Sequence, residues 1–177
     1  MTRFGRRNIE IKASCPDLDG AREVARALGA EYRGVLAQID TYFRLAEGRL
    51  KLREIEGAAA ELIFYRRENR PGAKESSYDL SIVSDPEGTK RILASALGVR
   101  VVVQKRRELW YLERTRLHLD EVERLGRFFE FEVEVSPGED EGPRHALAGR
   151  LREAFRLTDD RLIAPSYSDL MESAGTS

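Results

Sequence analysis

Polar and apolar residues alternate along several short stretches of this chain, and in each the charged residues take every second position. The stretches are Glu10-Ile11-Lys12, Arg49-Leu50-Lys51-Leu52-Arg53, Arg116-Leu117-His118-Leu119-Asp120 and Glu130-Phe131-Glu132-Val133-Glu134. Side chains alternate across a strand, so each stretch gathers its charges on one face and its Leu, Ile, Phe or Val on the other. An ordinary half-solvated sheet also alternates, but with a mixture of Thr, Ser, Gln, Lys and Glu. Here one polar face carries only Arg and Lys and another only Glu. A basic row suits a polyanion, and an acidic row suits hard divalent cations, which take oxygen ligands. Together they suit a metal-bound polyphosphate.

The remaining pattern predicts the elements between these stretches. A strand covers about residues 8–13, and Pro16 with Asp17 to Asp19 opens a helix whose Ala21, Val24, Ala25 and Leu28 recur at helical spacing before Gly29 caps it. Strands follow over 38–43, 49–55 and 61–67, with hairpin or turn signals at 46–48 and at Gly57. Glu68-Asn69-Arg70-Pro71-Gly72-Ala73 is a loop, and strand character resumes over 74–83. Asp85-Pro86-Glu87 starts a helix that ends near Gly98. Strands over 101–112, 113–122 and 127–135 complete the set. A helix over 143–156 has Ala146, Leu147, Leu151 and Phe155 as its inner stripe, and the last ten or so residues, Met171 to Ser177 included, read as a short helix fraying into a tail. No linker divides the chain, so residues 1–177 form one domain with an ordered core of about 8–170. Apolar outer faces need helices to cover them, and charged inner faces need water or ligand. The expected fold is therefore α+β: a closed antiparallel β-barrel of about eight strands, with an ionic interior and helices outside.

Composition narrows the partners. The 177 residues are 41% hydrophobic and 34% charged, against about a quarter charged in a typical globular domain. The net charge of -1, from 30 basic and 31 acidic residues, gives no global attraction to nucleic acid or membrane, so any anion recognition is local. Cys15 is the sole cysteine, which excludes an intrachain disulfide and a zinc-cluster spacing. No signal-peptide stretch or bilayer-length apolar run is present, and a soluble, cytoplasmic protein is expected.

Face parity selects the candidate site. Lys12 shares a face with Glu10, Lys51 with Arg53, and Lys105 with Arg107, so each pair can reach inward together. Arg offers a planar fork for phosphate oxygens and Lys a compact charge. A triphosphate carries roughly four negative charges at neutral pH, which five inward cations and a metal would match. The alternative is a solvated basic face, or ion pairs with the glutamates. Arg67 and Lys74 flank the Pro-Gly loop and could close over a ligand or solvate the loop. Arg116 and His118 share a face with Asp120, and a hydrogen-bonded structural imidazole is the expected role for His118. Trp110, Tyr111, Phe129 and Phe131 are expected in the core or barrel wall rather than as a base-stacking platform. Tyr42, Tyr65 and Tyr78 suit either strand packing or substrate orientation.

The same residues resemble the CYTH superfamily, which joins class IV adenylyl cyclases, thiamine triphosphatases and inorganic tripolyphosphatases in a triphosphate tunnel fold. Asn8-Ile9-Glu10-Ile11-Lys12 is similar to its N-terminal Glu-x-Glu-x-Lys signature, and Gln38-Ile39-Asp40-Thr41-Tyr42-Phe43 resembles the next strand of the cyclase-like branch. Leu50-Lys51-Leu52-Arg53, Lys105-Arg106-Arg107, Gly126 through Glu132, and Ser166-Tyr167-Ser168-Asp169-Leu170 match in order. The resemblance implies phosphate binding by Lys12, Lys51, Arg53, Arg67, Lys74, Lys105, Arg107 and Arg116. It implies Mg²⁺ or Mn²⁺ at Glu10, Glu130 and Glu132, and Glu10 or Asp120 as general base. The substrate would be a small triphosphate such as ATP, thiamine triphosphate or tripolyphosphate, hydrolysed, cyclised or bound without turnover; a homodimer is left open. One position departs from the signature: Asn8 stands where the family has its first glutamate and brings no charge to a metal.

Overall fold

The alternating stretches close into a barrel. The computed structural model describes residues 5–67, 69–70 and 72–175. Its strands are β1 (Arg6–Ser14), β2 (Glu31–Phe43), β3 (Arg49–Ile55), β4 (Ala60–Arg67), β5 (Lys74–Val83), β6 (Val99–Leu112), β7 (Thr115–Val122) and β8 (Gly126–Val135). They pair in the order β1-β5-β4-β3-β2-β6-β7-β8, and β8 returns to β1, every pair antiparallel. Closure pairs both edges of every strand over the barrel itself. The helices are α1 (Leu18–Ala27), α2 (Pro86–Leu97), α3 (Gly142–Ala154) and α4 (Tyr167–Gly175), with a 3₁₀ turn at Asp159–Arg161.

The two faces of the wall separate as the alternation requires. On the outside, Ile9, Ile11, Leu117, Leu119, Phe129, Phe131 and Val133 from β1, β7 and β8 are buried against α1 and α3, which contribute Leu18, Ala21, Ala25, Ala148 and Leu151. Phe129 stacks on Phe155 with centroids 4.2 Å apart. Phe43 and Leu52 on β2 and β3 are covered by Leu93, Ala94 and Leu97 of α2. That helix carries the chain from β5 across the barrel to β6. Asp17 and Asp85 cap α1 and α2 by accepting from Gly20 and Gly88 N–H, each at 2.9 Å.

The barrel has one stoppered end. Ser14 beside Phe128, Arg67 beside Ser76, and Phe43 beside both Leu50 and Val99 mark that end. There the inner wall turns apolar with Tyr42, Val103, Val122 and Phe128, and α4 packs into it through Tyr167 and Met171. The other end is a mouth lined in part by Leu36, Ile55, Leu80, Leu109 and Tyr111.

Several boundaries differ from expectation. β2 begins at Glu31, seven residues before the expected Gln38, because its first half extends past the barrel and pairs only with β6 through a bulge at Tyr32 and Gly34. Most of that half is exposed, so no burial pattern announces it. The expected strand over 113–122 gives its first two residues to a tight turn, with Glu113 at φ 52. In α3 the buried stripe runs through Ala148 rather than Ala146, which is exposed, and Leu28 at the end of α1 is also exposed. The C-terminal helix starts at Tyr167, close to the expected start of the last ten or so residues, where Ser166 and Asp169 cap it. Glu68 and Pro71 of the predicted loop, and Thr176 and Ser177 of the predicted tail, lie outside the described residues.

Candidate active site

Inside the barrel the charged rows face one another around a cavity of about 280 Å³. Two aspartates organise its cations. Asp40 on β2 accepts from Arg53 Nε and Nη2 at 2.8 and 2.9 Å and from Lys51 Nζ at 2.8 Å. Asp120 on β7 accepts from Arg107 Nε and Nη2 at 2.7 and 2.6 Å, from Lys105 Nζ at 3.3 Å and from the Tyr167 hydroxyl at 2.9 Å. Each aspartate thus holds a Lys-x-Arg pair from the neighbouring strand by a fork and a point contact.

The remaining predicted residues join the same wall. Glu10 Oε1 accepts from Arg67 at 2.6 Å. Lys12 lies 3.5 Å from Glu130 Oε1 and 4.0 Å from the centroid of the Tyr167 ring. Lys105 lies over the same ring at 4.9 Å. Lys74, 1% exposed, donates to the carbonyls of Ile163 and Ala164 at 3.0 and 3.1 Å. Arg67 and Lys74 therefore belong to the inner wall near α4 rather than to a solvated loop. Arg116 pairs with Glu132 at 2.6 Å and also donates to the Tyr78 hydroxyl. Asn8, with its amide set to satisfy both neighbours, accepts from Arg116 at 3.1 Å and donates to the Arg7 carbonyl at 2.9 Å.

The acidic candidates separate. His118, Glu130 and Glu132 offer ligand atoms that all lie within 4.8 Å of one another. Glu10, directly across from Glu132 in the β1/β8 register, is turned toward Arg67 instead. Glu134 is exposed at the rim beside Arg114. Of the aromatics, Trp110, Phe129 and Phe131 fill the outer core, whereas Tyr42, Tyr65, Tyr78 and Tyr111 line the interior. Asp40 and Tyr167 escaped the sequence-based site assignment, and His118, which parity placed inward, entered it only as a structural imidazole. Asp40 carried the signal, since it alternates with Gln38 and Tyr42. Tyr167 reaches the site only through the packing of α4.

Burial and neighbouring charges set the protonation states. Burial pushes the Lys105 ammonium down to about 7, and Arg107 adds repulsion. Burial and then Arg67 lower Lys74 to about 8. Burial raises the Glu10 carboxyl and Glu130 reinforces this, against the pull of Arg67. Burial would also raise Asp40 and Asp120, but Arg53 and Arg107 outweigh it and hold both below the usual carboxylate range. Burial opposes ionisation of Glu132 as well, and Arg116 brings it down to about 2. His118 is lowered by burial and then by Arg107, which leaves a neutral imidazole near pH 7.

The eight cations predicted to bind phosphate face five inner carboxylates: Glu10, Asp40, Asp120, Glu130 and Glu132. Eight less five leaves an excess of three positive charges, with Arg6 and Glu61 at the mouth offsetting each other. An enclosed excess of this size can hold a multiply charged anion threaded past the mouth, because the low-dielectric walls of a cleft focus its field.

Comparison with known proteins converges on one family. Residues 6–148 match the CYTH domain. A Methanocaldococcus jannaschii protein provisionally named an adenylate cyclase is 23% identical over 171 residues, covering 92% of this chain and 97% of its own. The structure of the PH1012 protein from Pyrococcus horikoshii OT3 superposes with a TM-score of 0.80 at 24% identity, over 92% of this chain and 98% of that one. The Hippeastrum protein HpAC1, which carries an adenylyl cyclase name and a dominant triphosphatase activity, superposes with a TM-score of 0.62 at 20% identity, over 94% and 95% of the two chains.

Proposed function

The chain belongs to the CYTH domain family, its barrel being that family's triphosphate tunnel fold, and from this premise we propose that it is a divalent-metal-dependent triphosphatase. The observation that carries the proposal is the enclosed excess of three positive charges, spread over all sides of one cavity whose far end α4 closes. A triphosphate of roughly four negative charges balances that excess to within about one charge, with or without a divalent cation on its oxygens. Because α4 stoppers the tunnel, the phosphate chain enters tail first and any organic group stays at the mouth.

In this reading Lys12, Lys105, Arg67 and Lys74 surround the terminal phosphoryl, and Lys51, Arg53 and Arg107 grip the phosphates behind it. Fixing the chain in an extended path removes most of the entropy of bringing water and phosphorus together. Glu10, whose carboxylate burial makes more basic, accepts a proton from the attacking water. Asp120, held ionised by two cations and a hydroxyl, is a poor base and instead orients Arg107, Lys105 and Tyr167. The donor set includes a neutral imidazole and two carboxylates, which fits a divalent cation. Such a cation, when bound, would neutralise charge on the phosphate oxygens. The Hippeastrum protein's triphosphatase activity supports hydrolysis for a barrel of this shape.

A cyclase is the second reading, supported by the name of the Methanocaldococcus jannaschii relative and by the apolar mouth, where a nucleoside could rest. Incubation with ATP, thiamine triphosphate or tripolyphosphate under Mg²⁺, Mn²⁺ or EDTA, with resolution of products, separates the readings. Metal-dependent orthophosphate is expected. Cyclic AMP with pyrophosphate would establish the cyclase instead, and tight binding without products would leave a binding module.

A further inference from the structure

We infer that His118 is itself a metal ligand, and that His118, Glu130 and Glu132 form a nitrogen-containing centre that prefers a first-row transition cation such as Mn²⁺ to Mg²⁺. The three side chains come from adjacent strands: His118 faces Glu130 across the β7/β8 ladder, and Glu132 is two residues further along the same face of β8. Their ligand atoms lie within 4.8 Å of one another, so small side-chain rotations bring them onto one ion with bonds near 2 Å.

An independent observation points to a missing occupant. His118 is 3% exposed, yet its Nδ1 has no hydrogen-bond partner. The nearest carboxylate oxygen, Glu130 Oε2, is 3.6 Å away, beyond hydrogen-bonding range. A buried imidazole nitrogen left unpaired is costly, and a cation shared with the two glutamates would satisfy it. The alternative of a purely structural histidine predicts a partner for that atom.

The residue at position 8 explains why nitrogen is needed. A carboxylate there would complete an all-oxygen set of the kind Mg²⁺ takes. Asn8 is neutral and its amide is engaged with Arg116 and the Arg7 carbonyl. Imidazole in place of the missing carboxylate shifts preference toward transition cations, whose affinity for nitrogen exceeds that of Mg²⁺. Three cations now sit on the glutamates: Lys12 and Arg107 on Glu130, and Arg116 on Glu132. A triphosphate would draw these away and free the carboxylate oxygens, so metal and triphosphate should bind together.

The inference rests on the proposed triphosphate site, but its test needs no turnover. The chain has two histidines, and the second, His145, is about half exposed on α3 beside Glu141. Pulsed electron paramagnetic resonance of Mn²⁺, added with methylene-bridged tripolyphosphate, reports nitrogen bound to the ion, and the ligand itself contains none. His145→Gln should retain the histidine nitrogen signal and His118→Gln should lose it. The first variant assigns the signal to His118 even if the second folds poorly. Competition should show Mn²⁺ bound at least tenfold more tightly than Mg²⁺ in the wild type. Bound Mn²⁺ without a nitrogen coupling in His145→Gln, or no bound Mn²⁺ at all, would overturn the assignment. Failure of the tripolyphosphate analogue to bind, measured by calorimetry in EDTA, would instead count against the triphosphate reading.

Discussion

Arg107 grips Asp120 through two hydrogen bonds of 2.7 and 2.6 Å across the β6/β7 ladder, where the two residues are direct register partners. Arg53 grips Asp40 in the same way across β2 and β3. Each clamp leaves its lysine, Lys105 or Lys51, on the same inner face. The cation rows are thus held open by a buried anion at their base, and without Asp120 the charges of Lys105 and Arg107 would be left with Glu130, which also pairs with Lys12.

Asp120→Ala should therefore destabilise the protein by about 3–5 kcal/mol, the usual effect of removing one partner of a buried ion pair. Urea unfolding checks this. A double variant that also changes Arg107 to Met should recover part of the loss, since the stranded charge goes with it.

Protonation of Lys105 and Lys74 should govern substrate capture. Both ammonium groups are lowered, to about 7 and about 8, so the free protein loses tunnel charge as pH rises through that window. The value of kcat/KM should fall on an alkaline limb between about pH 7 and 8. Lys105→Arg, whose charge does not titrate there, should move the limb upward. Stability runs the other way. Between about pH 7 and the unfolded lysine value near 10.4, the unfolded chain binds more protons than the folded one, so these two lysines make the ligand-free protein more stable as pH rises. Thermal melts at several pH values, with and without tripolyphosphate, should show opposite slopes from this source.

The stopper depends on Asp169. Its carboxylate accepts from Arg49 and Arg100, each at 2.8 Å, from Asn69 at 3.2 Å and from the Ser166 N–H at 3.0 Å. Asp169→Ala should release α4 while the barrel stays closed. Limited proteolysis should then cut between residues 160 and 170, and triphosphate affinity should drop severalfold as Tyr167 leaves Lys12 and Lys105.

The mouth should distinguish organic from inorganic substrates. Leu36, Ile55, Leu80 and Leu109 are half-buried apolar residues on the inner face of an otherwise ionic tunnel. Leu80→Asp should raise KM for ATP or thiamine triphosphate at least tenfold and change that for tripolyphosphate far less. Equal effects on all three substrates would place the organic group elsewhere.

Much of this was readable from alternation alone. Lys51 and Arg53, or Glu130 and Glu132, announce an inner face because every intervening residue is apolar and finds a helix outside. The exposed first half of β2 was not readable, since neither face of residues 31–37 is consistently buried. Nor were the choice among acids and the role of Tyr167. Glu10 and Glu132 have the same parity and are register partners, and only the folded barrel shows that Arg67 reaches Glu10 from β4 while Arg116 reaches Glu132 from β7. Tyr167 lies on a helix whose docking no strand pattern encodes.

Calorimetric titration of the purified protein with tripolyphosphate at pH 6.5 in EDTA, repeated for Arg53→Ala and Lys51→Ala, tests the central claim most directly. One tripolyphosphate should bind per chain, more weakly as salt rises, and each variant should lose at least tenfold in affinity while its circular dichroism is unchanged. Absence of binding in the wild type, or full affinity in both variants, would contradict a triphosphate held by the cations of the tunnel.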